Sequence, residues 1–115
     1  MKLKNKIAVI TGGADGIGKA TAIRFAQEGA TVVICDLNEE KGNDTVKLIK
    51  DAGGKAAFAK VNTAVYSEVE AATKKVVDQF GALDIIINNA GITRDSTLKK
   101  MTPETWQQVI DVNLT

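Results

Sequence analysis

The stretch Thr11-Gly12-Gly13-Ala14-Asp15-Gly16-Ile17-Gly18 decides how the rest of this chain is read. A short apolar run, Ile7-Ala8-Val9-Ile10, precedes it. An amphipathic segment follows, with Ile17, Thr21, Ala22, Phe25 and Ala26 at helical spacing. Glycines between a strand and a helix let the backbone turn tightly and approach a phosphate. The unpaired N–H groups that open the helix, and the positive end of its dipole, then face the anion. The spacing is Gly-x-x-x-Gly-x-Gly and departs from Gly-x-Gly-x-x-Gly, so on these residues alone a plain structural turn stays open.

Outward from the loop, the chain alternates between two kinds of segment. Thr31–Cys35, Ala56–Ala59 and Ile85–Ile87 are short, mostly apolar runs, the pattern of strands buried on both faces. Between them lie amphipathic stretches: a sparse stripe of Val46 and Ile49, then Val69, Ala72, Val76 and Phe80. Gly29, Gly53-Gly54 and Gly81 follow the helical patterns as terminators. A fourth helix is expected from Thr102-Pro103-Glu104 onward, its apolar stripe of Trp106, Val109, Ile110 and Leu114 still running at Thr115. The alternation of strand and helix predicts an α/β parallel sheet with right-handed crossovers and helices on both faces. The expected organisation is one domain, 1–115, whose chain stops within the fourth helix.

Composition narrows the chemistry. In 115 residues there are 15 Lys and Arg against 14 Asp and Glu, a net charge of +1, which argues against nucleic-acid or membrane-surface binding driven by bulk charge. There is no histidine, so Ser-His-Asp hydrolysis has no base here. Cys35, the one cysteine, cannot form an internal disulfide, and no Cys/His cluster exists to hold a metal. It reads as a small core residue. No apolar run is long enough to span a bilayer, and the N-terminus enters the first strand without a signal peptide, so a cytoplasmic setting is the default.

Two phosphate-binding readings compete. Gly13 to Lys19 fits the first seven positions of the Gly-x-x-x-x-Gly-Lys-[Ser/Thr] loop of nucleotide triphosphatases, and Val32–Asp36 resembles the strand that ends in a magnesium-binding acid. The eighth position is Ala20, which removes the hydroxyl ligand for Mg²⁺, and Asp15 would set an anion beside the phosphates. Asp36 fits the dinucleotide role better. It closes the second strand 36 − 18 = 18 residues after Gly18, near the spacing of about 20 for an acid that bonds the adenosine ribose. A carboxylate there accepts from the 2′-hydroxyl and repels a 2′-phosphate. Neither Asp15 nor Leu37 supplies basic charge, so NAD is favoured over NADP.

These residues resemble the short-chain dehydrogenase/reductase family. Its Thr-Gly-x-x-x-Gly-x-Gly is met by Thr11, Gly12, Gly16 and Gly18, and its Asn-Asn-Ala-Gly by Asn88-Asn89-Ala90-Gly91 after Leu83–Ile87. Gly91–Asp95, Trp106 and Asp111–Thr115 look most like the 3-oxoacyl-[acyl-carrier-protein] reductases of fatty-acid biosynthesis and the acetoacetyl-CoA reductases. The resemblance implies a Rossmann-like doubly wound sheet, here a truncated half of four strands in the order 3-2-1-4. It implies that Gly12, Gly16, Ile17 and Gly18 hold the pyrophosphate, Asp36 the adenosine ribose, and Asn62 and Thr63 the adenine. Many members carry Asp at the Asn62 position and a second acid at that of Val65, which here reads as packing or an altered loop. Asn89, Ala90 and Gly91 would lie along the cofactor, with Asn88 tying strands together. Asn113 would support a proton-relay water.

The family's catalytic Ser and Tyr-x-x-x-Lys have no counterpart. The only tyrosine, Tyr66, is followed four positions on by Glu70, and is read as a surface aromatic in the loop before the third helix. Two expectations follow. The chain is the NAD-binding part of an oxidoreductase that interconverts a 3-oxoacyl thioester and its 3-hydroxy form, inactive by itself. Alternatively it is a silent, engineered or fragmentary Rossmann module that self-associates, most simply as a homodimer, through the apolar edge of the fourth strand and the fourth helix.

Overall fold

A computed structural model describes residues 2–88, so the readings placed on Asn89, Ala90, Gly91 and Asn113, and the fourth helix with Trp106, lie outside the described residues. Four strands and three helices alternate: β1 (Ile7–Thr11), α1 (Gly16–Gln27), β2 (Thr31–Asp36), α2 (Glu39–Asp51), β3 (Lys55–Lys60), α3 (Tyr66–Phe80) and β4 (Ile85–Asn88). All pairings are parallel and the strand order is β3-β2-β1-β4, as the family resemblance implies. The strands β1 and β2 run in register from Ile7 opposite Thr31 to Thr11 opposite Cys35, and Thr11 also stands opposite Asn88 of β4.

Because side chains alternate along a strand, each apolar run feeds two cores. Ala8, Ile10, Val32, Ile34, Ile85 and Ile87 pack under α1 and α2, against Ala22, Ala26, Val46 and Ile49. Val9, Val33, Cys35 and Ile86 pack on the other face against Val69, Ala72, Val76 and Val77 of α3. This explains why the strands read as continuous apolar runs rather than alternating ones. The buried stripe of α1 is Gly18, Ala22 and Ala26. Ile17, placed in that stripe by spacing, is 63% exposed at the mouth of the glycine loop.

The N-terminal ends of the strands carry their own polar anchor. Asp84 is buried before β4 and accepts the Ile7 N–H at 2.9 Å through Oδ2, while the Asp84 N–H donates to the Ile7 carbonyl at 2.9 Å. This pair of bonds fixes the register at which β1 and β4 begin.

One sequence expectation is corrected. Tyr66 is the first residue of α3 rather than part of the preceding loop, although it is exposed as expected. Val65 stands at the N-cap and offers no side-chain acceptor, so the usual start signal is missing. The turn is closed instead by Asn62, whose side chain accepts the Ala64 N–H at 3.0 Å, and by Glu68 of the first helical turn, which accepts the Asn62 N–H at 3.0 Å.

Candidate functional site

The C-terminal ends of β1, β2, β3 and β4 lie along one edge of the sheet, as a parallel arrangement requires. There they bring Gly12–Gly18, Asp36–Asn38 and Asn62–Thr63 together. Gly12 leaves β1 with φ +69° and donates its N–H to the Cys35 carbonyl at 2.8 Å. Gly13 lies flat on β2: a Cβ there would stand 3.0 Å from Ile34 Cγ2 and 3.3 Å from the Ile10 carbonyl oxygen. Gly16 has φ +57°, a left-handed conformation that disfavours side chains, and open space where a Cβ would project. Asp15 caps α1, its Oδ1 accepting the Gly16 N–H at 2.9 Å. Ile17 and Gly18 then occupy the first helical turn, where an α-helix supplies no partners for its N–H groups.

Asp36 links this loop to the next turn. Its Oδ2 accepts the Ala14 N–H at 3.2 Å and its Oδ1 accepts the Asn38 N–H at 3.0 Å. The sequence places an acid at the end of β2; the structure adds that the same carboxylate braces the glycine loop. Two further bonds from α2 secure the loop. Thr45 Oγ1 shares its proton between the Lys41 carbonyl at 3.1 Å and the Ala14 carbonyl at 3.3 Å, and Lys41 Nζ donates to Asp15 Oδ2 at 3.0 Å. Asn38 caps α2 by accepting the Lys41 N–H at 3.0 Å.

Lys41 and Thr45 were not singled out by sequence reasoning. A polar Thr45 beside Val46 on a buried helix face was the available signal, since hydroxyls in mid-helix bond backbone carbonyls. Nothing in sequence announces Lys41, 26 positions from Asp15 and on another helix. The expectation that neither Asp15 nor Leu37 supplies basic charge stands, and Lys41 is a basic group on α2 that it did not consider.

The local electrostatics follow from these contacts. The Lys41 hydrogen bond, reinforced by the Gly16 N–H, holds the Asp15 carboxyl below its ordinary value, and Asp15 in turn raises Lys41. Burial pushes the Cys35 thiol up to about 12, with the Asp36 charge adding to the effect. Cys35 is thus an inert core residue, as expected. Asn62 is half-buried, its amide oxygen committed to Ala64. Leu37 (54% exposed), Val65 and Ile17 give the edge its apolar surface. Among the described residues no group of His, Cys, Asp or Glu could hold a metal ion, and no helix is long and apolar enough to cross a membrane.

A glycine loop opening a helix at the carboxyl edge of a parallel sheet, with an acid at the end of the next strand, is a nucleotide-binding arrangement. Comparison with known proteins agrees. The family model for short chain dehydrogenases matches residues 6–115. The 3-oxoacyl-[acyl-carrier-protein] reductase FabG of Thermotoga maritima is 44% identical over 114 residues, 99% of this chain but 46% of that protein. The chain therefore spans about half the length of the curated relatives it matches. A 7α-hydroxysteroid dehydrogenase solved with NADH and 7-oxo glycochenodeoxycholic acid superposes with a TM-score of 0.73 at 38% identity, covering 76% of this chain and 34% of that one. A metagenomic short-chain oxidoreductase in complex with NADP gives 0.75 at 32% identity, covering 79% and 41%. With strand order, glycine loop and whole-chain similarity in agreement, the chain belongs to the short-chain dehydrogenase family.

Proposed function

We propose that the carboxyl edge of the sheet holds a dinucleotide, NAD in preference to NADP, with its pyrophosphate over Gly12, Gly16, Ile17 and Gly18. The residues fit the group. Gly16 leaves open space above the loop, and with the Gly16 N–H held by Asp15 it is the N–H groups of Ile17 and Gly18, in the first turn of α1, that remain for the anion. Asp36 uses one lone pair on each oxygen for Ala14 and Asn38; a carboxylate has about four, so the remainder can accept both ribose hydroxyls. The NH2 end of Asn62 has no protein partner among the described residues and can donate to a ring nitrogen of adenine, where an Asp could only accept. Thr63, Leu37 and Val65 complete the apolar and polar walls of that end. Asn89, Ala90 and Gly91 are assigned to the cofactor and Asn113 to a supporting role on the strength of the family pattern alone.

For the whole protein we propose a reductase of 3-oxoacyl thioesters or the reverse dehydrogenase, supported by the 44% identity to a 3-oxoacyl-[acyl-carrier-protein] reductase. A bound nicotinamide would supply or take the hydride. This sequence has no tyrosine followed four residues later by lysine to manage the accompanying proton, so the chain by itself is expected to bind without turnover. A second reading, association of two copies through β4, is favoured by one observation: among the described residues β4 pairs on one side only, with β1.

The observation that carries the cofactor reading is the position of Asp36, bonded to the glycine loop and facing the same edge. Calorimetric titration of NAD and NADP into the chain and into Asp36→Asn tests it. Loss of a charged acceptor is worth about 1.5–3 kcal/mol, so NAD should weaken by roughly tenfold or more while the preference over NADP narrows. Equal affinity of the parent chain for the two dinucleotides, or an Asn variant that binds NAD as well as the parent, defeats the assignment.

A further inference from the structure

Asp15 and Gly16 form the one Asp-Gly or Asn-Gly pair in the sequence, and it falls at the join between the glycine loop and α1. The Asp15 side chain is 71% exposed, and its Oδ1 lies 2.9 Å from the Gly16 nitrogen. The carboxyl carbon that this nitrogen would attack is one covalent bond from that contact. The Gly16 N–H opens the helix, so the intrahelical ladder does not hold it. With φ +57° and open space where a Cβ would project, Gly16 also has no side chain to shield the approach. We propose that Asp15-Gly16 is a self-modification site: the Gly16 nitrogen closes on Asp15 Cγ to a succinimide, and water reopens the ring to an isoaspartyl link that displaces the glycine loop.

The reaction needs only the chain and water. In closure the N–Cγ bond forms and a Cγ–O bond breaks; the carboxyl hydroxyl leaves as water, carrying the hydrogen lost from nitrogen. Water then adds to one ring carbonyl and breaks its bond to nitrogen. Attack at Cγ restores aspartate, whereas attack at the main-chain carbonyl leaves Gly16 joined through Cγ and frees an α-carboxylate. The isoaspartyl chain is one methylene longer at this point, and the carboxyl that capped α1 has become main chain. Ile17 and Gly18 then leave the place to which β1 delivers them, a consequence for the cofactor that rests on the dinucleotide reading. Closure also requires rotation about the Asp15 Cα–C bond from its ψ of 163°, which breaks the 3.2 Å bond from the Lys19 N–H to the Asp15 carbonyl. Lys41 of α2 holds Oδ2 at 3.0 Å, and with the Gly16 N–H and the Lys19 charge it keeps the carboxyl ionised to lower pH. Asp36 of β2 fixes Ala14 on the other side. Because a hydroxyl must leave, the protonated carboxyl is the form that closes, and Lys41 is the brake.

The tryptic peptide 7–19 carries Asp15 and no other Asp or Asn, so the linkage can be read directly. The folded chain is held for days at physiological temperature at pH 6 and at pH 8. It is then digested beside an unincubated control, and the peptide is mapped by electron-transfer fragmentation, which separates α from β linkages. Isoaspartyl peptide, with a species lighter by one water, should accumulate, and faster at pH 6. Lys41→Ala should raise the rate by about two- to fivefold, the range of one exposed ion pair. Asp15→Glu keeps a carboxylate but needs a larger ring, and should abolish the signal. An unchanged peptide in both the parent chain and Lys41→Ala overturns the proposal, and a Lys41→Ala rate at or below that of the parent overturns the role of the lysine. The isolated isoaspartyl chain should bind NAD at least about tenfold more weakly, through lost bonds to a charged group; equal binding overturns the displacement of the loop. If the parent chain binds no dinucleotide, the cofactor reading falls, while the peptide map still decides the modification.

Discussion

Cys35 shows how a single residue can be settled from two directions. It stands at the end of an apolar run, and its one charged sequence neighbour, Asp36, disfavours a thiolate. The structure buries it completely and raises its thiol to about 12, so at pH 8 it is protonated and unreachable. An aromatic disulfide reagent should therefore leave the folded chain unlabelled while reacting at once in denaturant; labelling at the same rate in both states contradicts the burial. The place of Asp36 at the end of β2 was legible at the same scale, because it closes an apolar run. Its bonds to Ala14 and Asn38 were not, since sequence shows a carboxylate but not which N–H groups the fold turns toward it. Ile17 failed in the opposite way: helical spacing cannot tell a residue facing the sheet from one standing at the rim.

Among the elements, α2 does more than cover the sheet. Lys41 and Thr45 serve its junction with the glycine loop, Asn38 caps its start, and Gly42 sets how closely the helix approaches β3. A Cβ at position 42 would run into the ring of Phe58. Gly42→Ala gains about 1 kcal/mol of helix propensity, yet overpacking against a ring costs about 1–3 kcal/mol, so a net loss of about 1 kcal/mol is expected in urea unfolding. Restoring room with Phe58→Leu in the same chain should recover part of it, and a stabilised Gly42→Ala chain would show that the ring yields freely. The helix itself was readable from Val46, Ile49 and the terminating glycines. Its rotation about its own axis, which brings Lys41 to Asp15, is a property of tertiary packing and has no signature in a stripe of two residues. The start of α3 was missed for a related reason: its closure depends on Asn62 and Glu68, six positions apart, rather than on a capping side chain beside Tyr66.

The whole molecule was the most legible scale. Alternating runs imply a parallel α/β sheet from local patterns alone, while the order β3-β2-β1-β4 was implied by the family resemblance. Assembly is a different matter, because it depends on surfaces that a strand pattern does not describe. If β4 is a pairing edge, light scattering on chromatographed protein at micromolar concentration should return the mass of two chains, and a clean single-chain mass speaks against it. A sheet whose strands all point one way also divides the protein into two kinds of territory. Turns that leave helices, such as those at Gly29, Gly53 and Gly81, gather at the end where Asp84 anchors β4, whereas turns that leave strands gather where Asp36 faces the loop. Alterations in the first territory reach the chain through how readily it melts, and those in the second through what it holds. On that second side, exposed positions such as Ile17 and Leu37 can be changed without reaching the core, whereas Gly13 and Asp36 belong to edge and framework at once.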